Sequence, residues 1–132
     1  DFLSNRYACQ FVWQGLRFGN AEAAFQSSKC VDERKRKEFC CCSADKAALK
    51  GREIVPPVDW VNDCLGIMES VLTAKFEQNP SLMKKLVDTG NAILINGNSK
   101  KETFWGIDLY SWQGDNNLGK ILMKIRDKEI TK

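Results

Sequence analysis

Residues 59–76 read DWVNDCLGIMESVLTAKF, and within them Val61, Cys64, Leu65, Met68, Val71, Leu72 and Phe76 recur at spacings of three and four. That is the helical period, so the stretch is expected to form a helix with an apolar stripe of roughly four turns facing a core. Asp59 is placed to cap it, behind Pro56-Pro57, and Pro80 to end or offset it. Lys75 falls inside the stripe, and a buried ammonium is costly unless its head finds a partner. Two outcomes stay open there: the side chain snorkels to the helix edge, or it meets a phosphate or carboxylate of a ligand.

On the N-terminal side the pattern from Phe2 to Phe18 is extended and aromatic. Phe11-Val12-Trp13 and Leu16-Arg17-Phe18 flank Gln14-Gly15 and read as a short hairpin. Asn20 is a good cap for a helix from 21 to about 31, a charged helix is expected over 32–41, and Ser43 caps a third over 44–53. On the C-terminal side a shorter helix is expected over 81–88, with Gly90 just beyond its end. A buried strand follows over 92–95, then the turn signal Asn96-Gly97-Asn98, a Gly- and Trp-rich loop over 103–114, and a last helix over 118–130. Neither a repeat nor a linker interrupts the chain. The expectation is one α+β domain over residues 1–132, predominantly α-helical with a small sheet.

Composition narrows the chemistry. The 132 residues are 43% hydrophobic, which fits a globular core and rules out disorder. They contain no histidine, so a Ser-His-Asp triad, a Cys-His dyad, a histidine base and a histidine-ligated metal are all impossible within them. Twenty Lys and Arg against 17 Asp and Glu give a charge of +3, too small to declare a nucleic-acid binder. The basic run from Arg34 to Lys37 reads as a solvated face rather than a phosphate track. Cys40-Cys41-Cys42 lacks the spacing of a zinc site, and the six cysteines read as free thiols in a cytoplasmic setting. Neither a membrane span nor a signal peptide is expected from these residues.

Three constellations are candidates for function. Glu22, Gln26 and Lys29 stand at i, i+4 and i+7, on one face of the first helix. That seam is either a solvated polar stripe or an acid/base and nucleophile pair lining a cleft, with Lys29 the nucleophile if burial or a nearby cation lowers its pKa. The run Gly114-Asp115-Asn116-Asn117-Leu118-Gly119 opens the last helix and is either a cap or an anion cradle. Among four tryptophans, Trp105 and Trp112 lie in a loop with Gly106 and Gly114 and are the best placed to stack on a flat heterocycle.

Phe2-Leu3-Ser4-Asn5, then Ala21-Glu22-Ala23-Ala24-Phe25-Gln26-Ser27-Ser28-Lys29, resembles the opening of the NADAR family (the YbiA-like proteins). Gly51-Arg52, Trp60, Met68, Lys75-Phe76-Glu77-Gln78-Asn79, Leu86, Thr89-Gly90, Trp105-Gly106 and Gly114-x-Asn116-x-Leu118-Gly119 follow in the family's order, ahead of Leu122-Met123 and Arg126. The resemblance implies a YbiA-like fold and N-glycosidase chemistry that uses no metal and no cofactor. Two substrate classes come with it: ADP-ribose on guanine bases of nucleic acid, and small phosphorylated intermediates of riboflavin biosynthesis. It also implies Glu22 as the carboxylate that handles protons and Lys29 as an amine attacking the anomeric carbon of a ring-opened sugar to form a Schiff base. Lys75, Asn79 and the 114–119 loop would hold the ribose phosphate, with Asn5, Gln26, Trp105, Gly106 and Trp112 also in contact with substrate. The sequence departs from the family where a glutamate commonly follows the 92–95 segment: Asn96 and Gly97 stand there, and Glu102 is the carboxylate left to compensate as a catalytic group. The competing expectation is a module that binds ADP-ribose or a ribosyl phosphate without cleaving it.

Overall fold

Positive φ at Gln14 (50°) and Gly15 (79°) turns the chain tightly enough for β1 (Phe11–Trp13) to pair antiparallel with β2 (Leu16–Phe18), as the hairpin reading expects. The computed structural model describes residues 1–132, and the chain divides into two compact units, Asp1–Leu82 and Met83–Lys132. Six helices and two small two-stranded sheets make up the whole, an α+β fold dominated by helix. No helix is long and apolar enough to cross a membrane.

In the first unit, α1 (Ala21–Ser27) starts where Asn20 Oδ1 accepts the Ala23 N–H at 2.7 Å. It ends four residues earlier than expected. The Ser27 and Ser28 hydroxyls bond back to the carbonyls of Ala24 and Phe25, and Lys29 N–H reaches only Gln26 O, so the helix tightens and stops. The 32–41 stretch splits into α2 (Glu33–Lys37), with no buried side chain, and a 3-10 turn over Glu38–Cys41 that buries Phe39. Ser43 caps α3 (Ala44–Arg52) as expected.

The long helix α4 (Val58–Glu77) is the spine of this unit. Pro57, not Asp59, precedes its first turn, and Asp59 makes no cap bond. Its buried face is Cys64, Met68, Val71, Leu72, Lys75 and Phe76, while Val61 is 65% exposed: three-and-four spacing is shared by two adjacent lines on a helix, and only one turns inward.

The C-terminal half of α4 holds the N-terminal segment. Residues 1–7 are not extended but run in turns closed by Ser4 N–H to Asp1 O and Tyr7 N–H to Ser4 O. Gln78 makes a strand-like pair with Val12, accepting its N–H and donating to its carbonyl, both at 2.7 Å. Asn79 donates to Gln10 O, and Ser70 accepts the Trp13 indole N–H. Lys75 neither snorkels nor faces solvent. It is 0% exposed, and its ammonium donates to Phe2 O at 2.9 Å and Ser4 O at 3.0 Å beside the rings of Tyr7 and Phe76.

In the second unit, the 92–95 strand does not form. Ile93 is 77% exposed, only Leu94 is buried, and the carbonyls are taken by side chains: Ala92 O by Arg126 and Leu94 O by Asn116. The expected turn at 96–98 is instead β3 (Gly97–Asn98), parallel to β4 (Ile107–Asp108). Helix α6 (Asn117–Ile130) buries Leu118, Ile121, Leu122 and Ile125. The division between the units falls within α5 (Pro80–Val87).

Burial lowers the Lys75 pKa from 10.5 to about 8, with the nearby Cys9 opposing the shift. Between about pH 8 and 10.5 the unfolded chain therefore binds more protons than the folded one, and this group's contribution to stability rises with pH across that window. Denaturation followed from pH 7.5 to 10.5 is expected to show wild type gaining stability relative to Lys75→Met, by about 1.4 kcal/mol per unit of pKa depression. A flat difference would contradict the buried placement.

Candidate active site

The amide N–H of Glu22 donates to Asn5 O at 3.0 Å, so the segment that Lys75 fixes also seats the first turn of α1. Glu22's carboxylate accepts from Gln26 Nε2 at 2.9 Å. Because a carboxylate only accepts, the amide nitrogen must face it, and Gln26 Oε1 is left buried without a partner. Asn5 Oδ1 is a second buried acceptor without a partner, its amide nitrogen lying 3.6 Å from Met68 Sδ.

Lys29 lies just past the end of α1, half-buried, with Nζ donating to Gly51 O at 3.3 Å and standing 5.3 Å from the centre of the Trp60 ring. Trp60 is held by its own N–H to Ser28 Oγ at 2.8 Å and by Phe25, whose ring centre is 5.3 Å away. Burial pushes the Lys29 pKa below its ordinary value, and Glu22 and Cys30 oppose that shift. The lysine lines an open groove of about 560 Å³ with Asp32, Lys35, Glu53 and Pro56-Pro57 among its walls. Glu22 and Gln26 are bonded to each other, while Lys29 bonds Gly51 and lines the groove, whose walls include neither Glu22 nor Gln26. Trp60 and Gly51, which carried no role in the sequence reading beyond matching the family, complete the surroundings of the amine. The signal for Trp60 was its place after Pro56-Pro57, at the start of the long helix.

Asn79 and Lys75 do not reach this groove in the roles expected of them. Asn79 Nδ2 is bonded to Gln10 O and Lys75 O, and the Lys75 ammonium is enclosed by backbone. Both act on the N-terminal segment rather than offering a phosphate an open cation.

In the second unit, four of the N–H groups that would make an anion cradle are already used. Asp115, Asn116, Asn117 and Leu118 donate to the carbonyls of Thr103, Gly106, Phe104 and Trp105. The 114–119 run is a docking seam for the 103–106 loop, and its small residues serve close approach. A Cβ at Gly106 would strike Asn96 O, one at Gly114 would strike Gly106 O, and one at Gly119 would strike Leu94 O. Asn116, at φ 52°, spends its side chain on Leu94 O and Asn96 N–H. Glu102 is also committed: its carboxylate accepts the N–H groups of Phe104 and Trp105 at 2.9–3.0 Å, which closes the loop. Trp105 is half-buried with its ring edge-on to Phe104, and Trp112 is 65% exposed at φ 58°.

If Glu102 works as a turn acceptor, removing the carboxylate matters more than neutralising it. Glu102→Ala is expected to cost about 1.5–3 kcal/mol by thermal or chemical unfolding, whereas Glu102→Gln keeps an acceptor oxygen and loses less than half of that. Equal losses would point to a role for the charge itself.

The NADAR domain family matches residues 1–129. An N-glycosidase of Acanthamoeba polyphaga mimivirus is 35% identical over 100 residues, covering 67% of this chain and 58% of that protein. A riboflavin biosynthesis protein of Vibrio vulnificus (strain YJ016) is 32% identical over 130 residues, covering 96% of this chain and 35% of that protein. The chain thus spans little more than half of the first relative and about a third of the second. The NMR structure of the E. coli protein YbiA superposes with a TM-score of 0.87 at 29% identity, over 98% of this chain and 78% of YbiA. The fold is therefore YbiA-like, and the chain belongs to the NADAR family.

Proposed function

We propose that this chain is an N-glycosidase that cleaves the C–N bond between a base or base-like amine and a phosphorylated ribose, with Lys29 as nucleophile. The observation that carries the reading is Lys29's setting: an amine at the wall of an open groove, its charged form disfavoured by burial, bonded to a carbonyl rather than to a carboxylate. Such an amine is neutral more often than an ordinary lysine and keeps its lone pair available. The N-glycosidase relative supports the reaction class.

The chemistry runs in two stages. The ring C1′–O4′ bond opens as the lone pair of the base nitrogen forms C1′=N⁺ and O4′ takes a proton from water, and the neutral Lys29 amine adds to C1′. The C1′–N bond to the base then breaks, the base leaving with the proton released from the lysine nitrogen. Glu22 is the carboxylate that relays that proton. Water adds to the resulting lysine imine, the C1′–N bond to Lys29 breaks, and the free aldose departs with the amine restored. The substrate is either ADP-ribose on a guanine base or a small ribosyl phosphate of the riboflavin route, the latter in keeping with the name of the Vibrio relative.

Both substrates should be offered to wild type, Lys29→Ala and Glu22→Gln. Lys29→Ala is expected to abolish release of base and aldose, and Glu22→Gln to lower it by about 10²–10⁴-fold, with both variants folded. Wild-type turnover in Lys29→Ala would remove the mechanism. Stoichiometric binding with substrate recovered intact would make the domain a reader of ribosyl phosphates.

The pH profile carries a sign as well. The neutral amine fraction grows about tenfold per pH unit below its pKa, so turnover should rise with pH and level off below 10.5, the ordinary lysine value. A plateau reached only above 10.5 would mean that Lys29 is not the titrating nucleophile.

A further inference from the structure

Gly51 stands in the last turn of α3, buried, and not in the positive-φ region. An alanine would suit that backbone better, since glycine inside a helix gives up more conformational freedom on folding. What the glycine provides is space. A Cβ built on it would overlap the Oε1 and Cδ of Gln26 and approach Cγ to 3.1 Å, so its three nearest neighbours all belong to that one side chain. The same residue's carbonyl accepts from Lys29 Nζ at 3.3 Å. Gly51 therefore touches two members of the seam, one through its bare Cα and the other through its oxygen.

We propose that Gly51 is a positioning residue: its missing side chain gives the Gln26 amide the place from which it binds Glu22's carboxylate, and so holds that carboxylate out of an ion pair with Lys29. The inference rests on the reading of Lys29 as nucleophile. Gln26 Oε1 remains buried without a hydrogen bond in this placement, a cost that a merely structural glutamine would relieve by turning away. Glu22 already raises the Lys29 pKa from where it stands. Closing to a direct ion pair would raise it further and tie up the amine. The other charged groups sharing the groove with Lys29 are Asp32, Lys35 and Glu53, with Cys30 adjacent and the neutral Trp60 ring contributed by α4. Gln26 stands nearer the space at Gly51 than any of them.

The test is a double-mutant cycle of Gly51→Ala, Gln26→Ala and both together. Its readout is the pH midpoint of Lys29 acylation, followed by mass spectrometry of the Lys29 peptide under trace labelling with acetic anhydride. Turnover is measured in parallel at pH 7. Gly51→Ala is expected to stay folded with an unchanged or higher Tm, because the obstruction is the far end of a flexible side chain. Each single variant should move the labelling midpoint upward, with turnover falling about tenfold per unit moved, and the double variant should be no worse than Gln26→Ala alone. An unchanged midpoint in Gly51→Ala, or effects that add in the double variant, would overturn the spacer role. The labelling needs no substrate. A midpoint that moves as expected in a protein that turns over neither substrate would retain the spacer and reject the glycosidase reading.

Discussion

A buried ammonium must find acceptors, and Lys75 finds them in the backbone of the N-terminal segment. Its bonds to Phe2 O and Ser4 O fix the residues on either side of Leu3, and the next residue, Asn5, offers its own carbonyl to the Glu22 N–H. One cation in the middle of the core thereby sets where α1 begins. Met68 and Ser70 on the same helix, and Gln78 and Asn79 just past its end, reinforce it by holding Asn5, Trp13, Val12 and Gln10. With α1 so placed, its early end at Ser27 turns Lys29 toward Gly51 and Trp60 instead of leaving it on a solvated helix face.

The second unit follows a different rule, in which side chains stand in for a sheet. Asn116, Arg126, Asn98, Glu102 and Asp108 each satisfy backbone groups of neighbouring loops, and only two residues per strand remain for β3 and β4 to pair. Glycines at 106, 114 and 119 let those backbones touch. The residues that look like a phosphate cradle are there to close loops on one another.

Local chemistry was legible in the sequence where it is self-contained. The Gln14-Gly15 hairpin, the Asn20 and Ser43 caps and the apolar face of α6 are all decided within a few residues, and all are present. The Glu22–Gln26 pair was visible from spacing, although Lys29 stands beyond the helix end rather than on the helix itself. What failed depended on partners distant in sequence. The 92–95 segment has the composition of a strand but meets the side chains of Asn116 and Arg126 rather than a strand edge. Lys75 stood out as an anomaly, yet nothing in its neighbours indicated that backbone carbonyls more than seventy residues away would receive it. Gly51 and Trp60 surround the amine from α3 and α4, and only the fold brings them to it.

The chemistry proposed for this NADAR member turns on one nitrogen. The most direct measurement is borohydride reduction during turnover, with each substrate class in turn, followed by mapping of the modified peptide. The account predicts a stable sugar adduct on the Nζ of Lys29, formed only when substrate and reductant are present together. Substrate consumed with no adduct, or an adduct on another lysine, would contradict it.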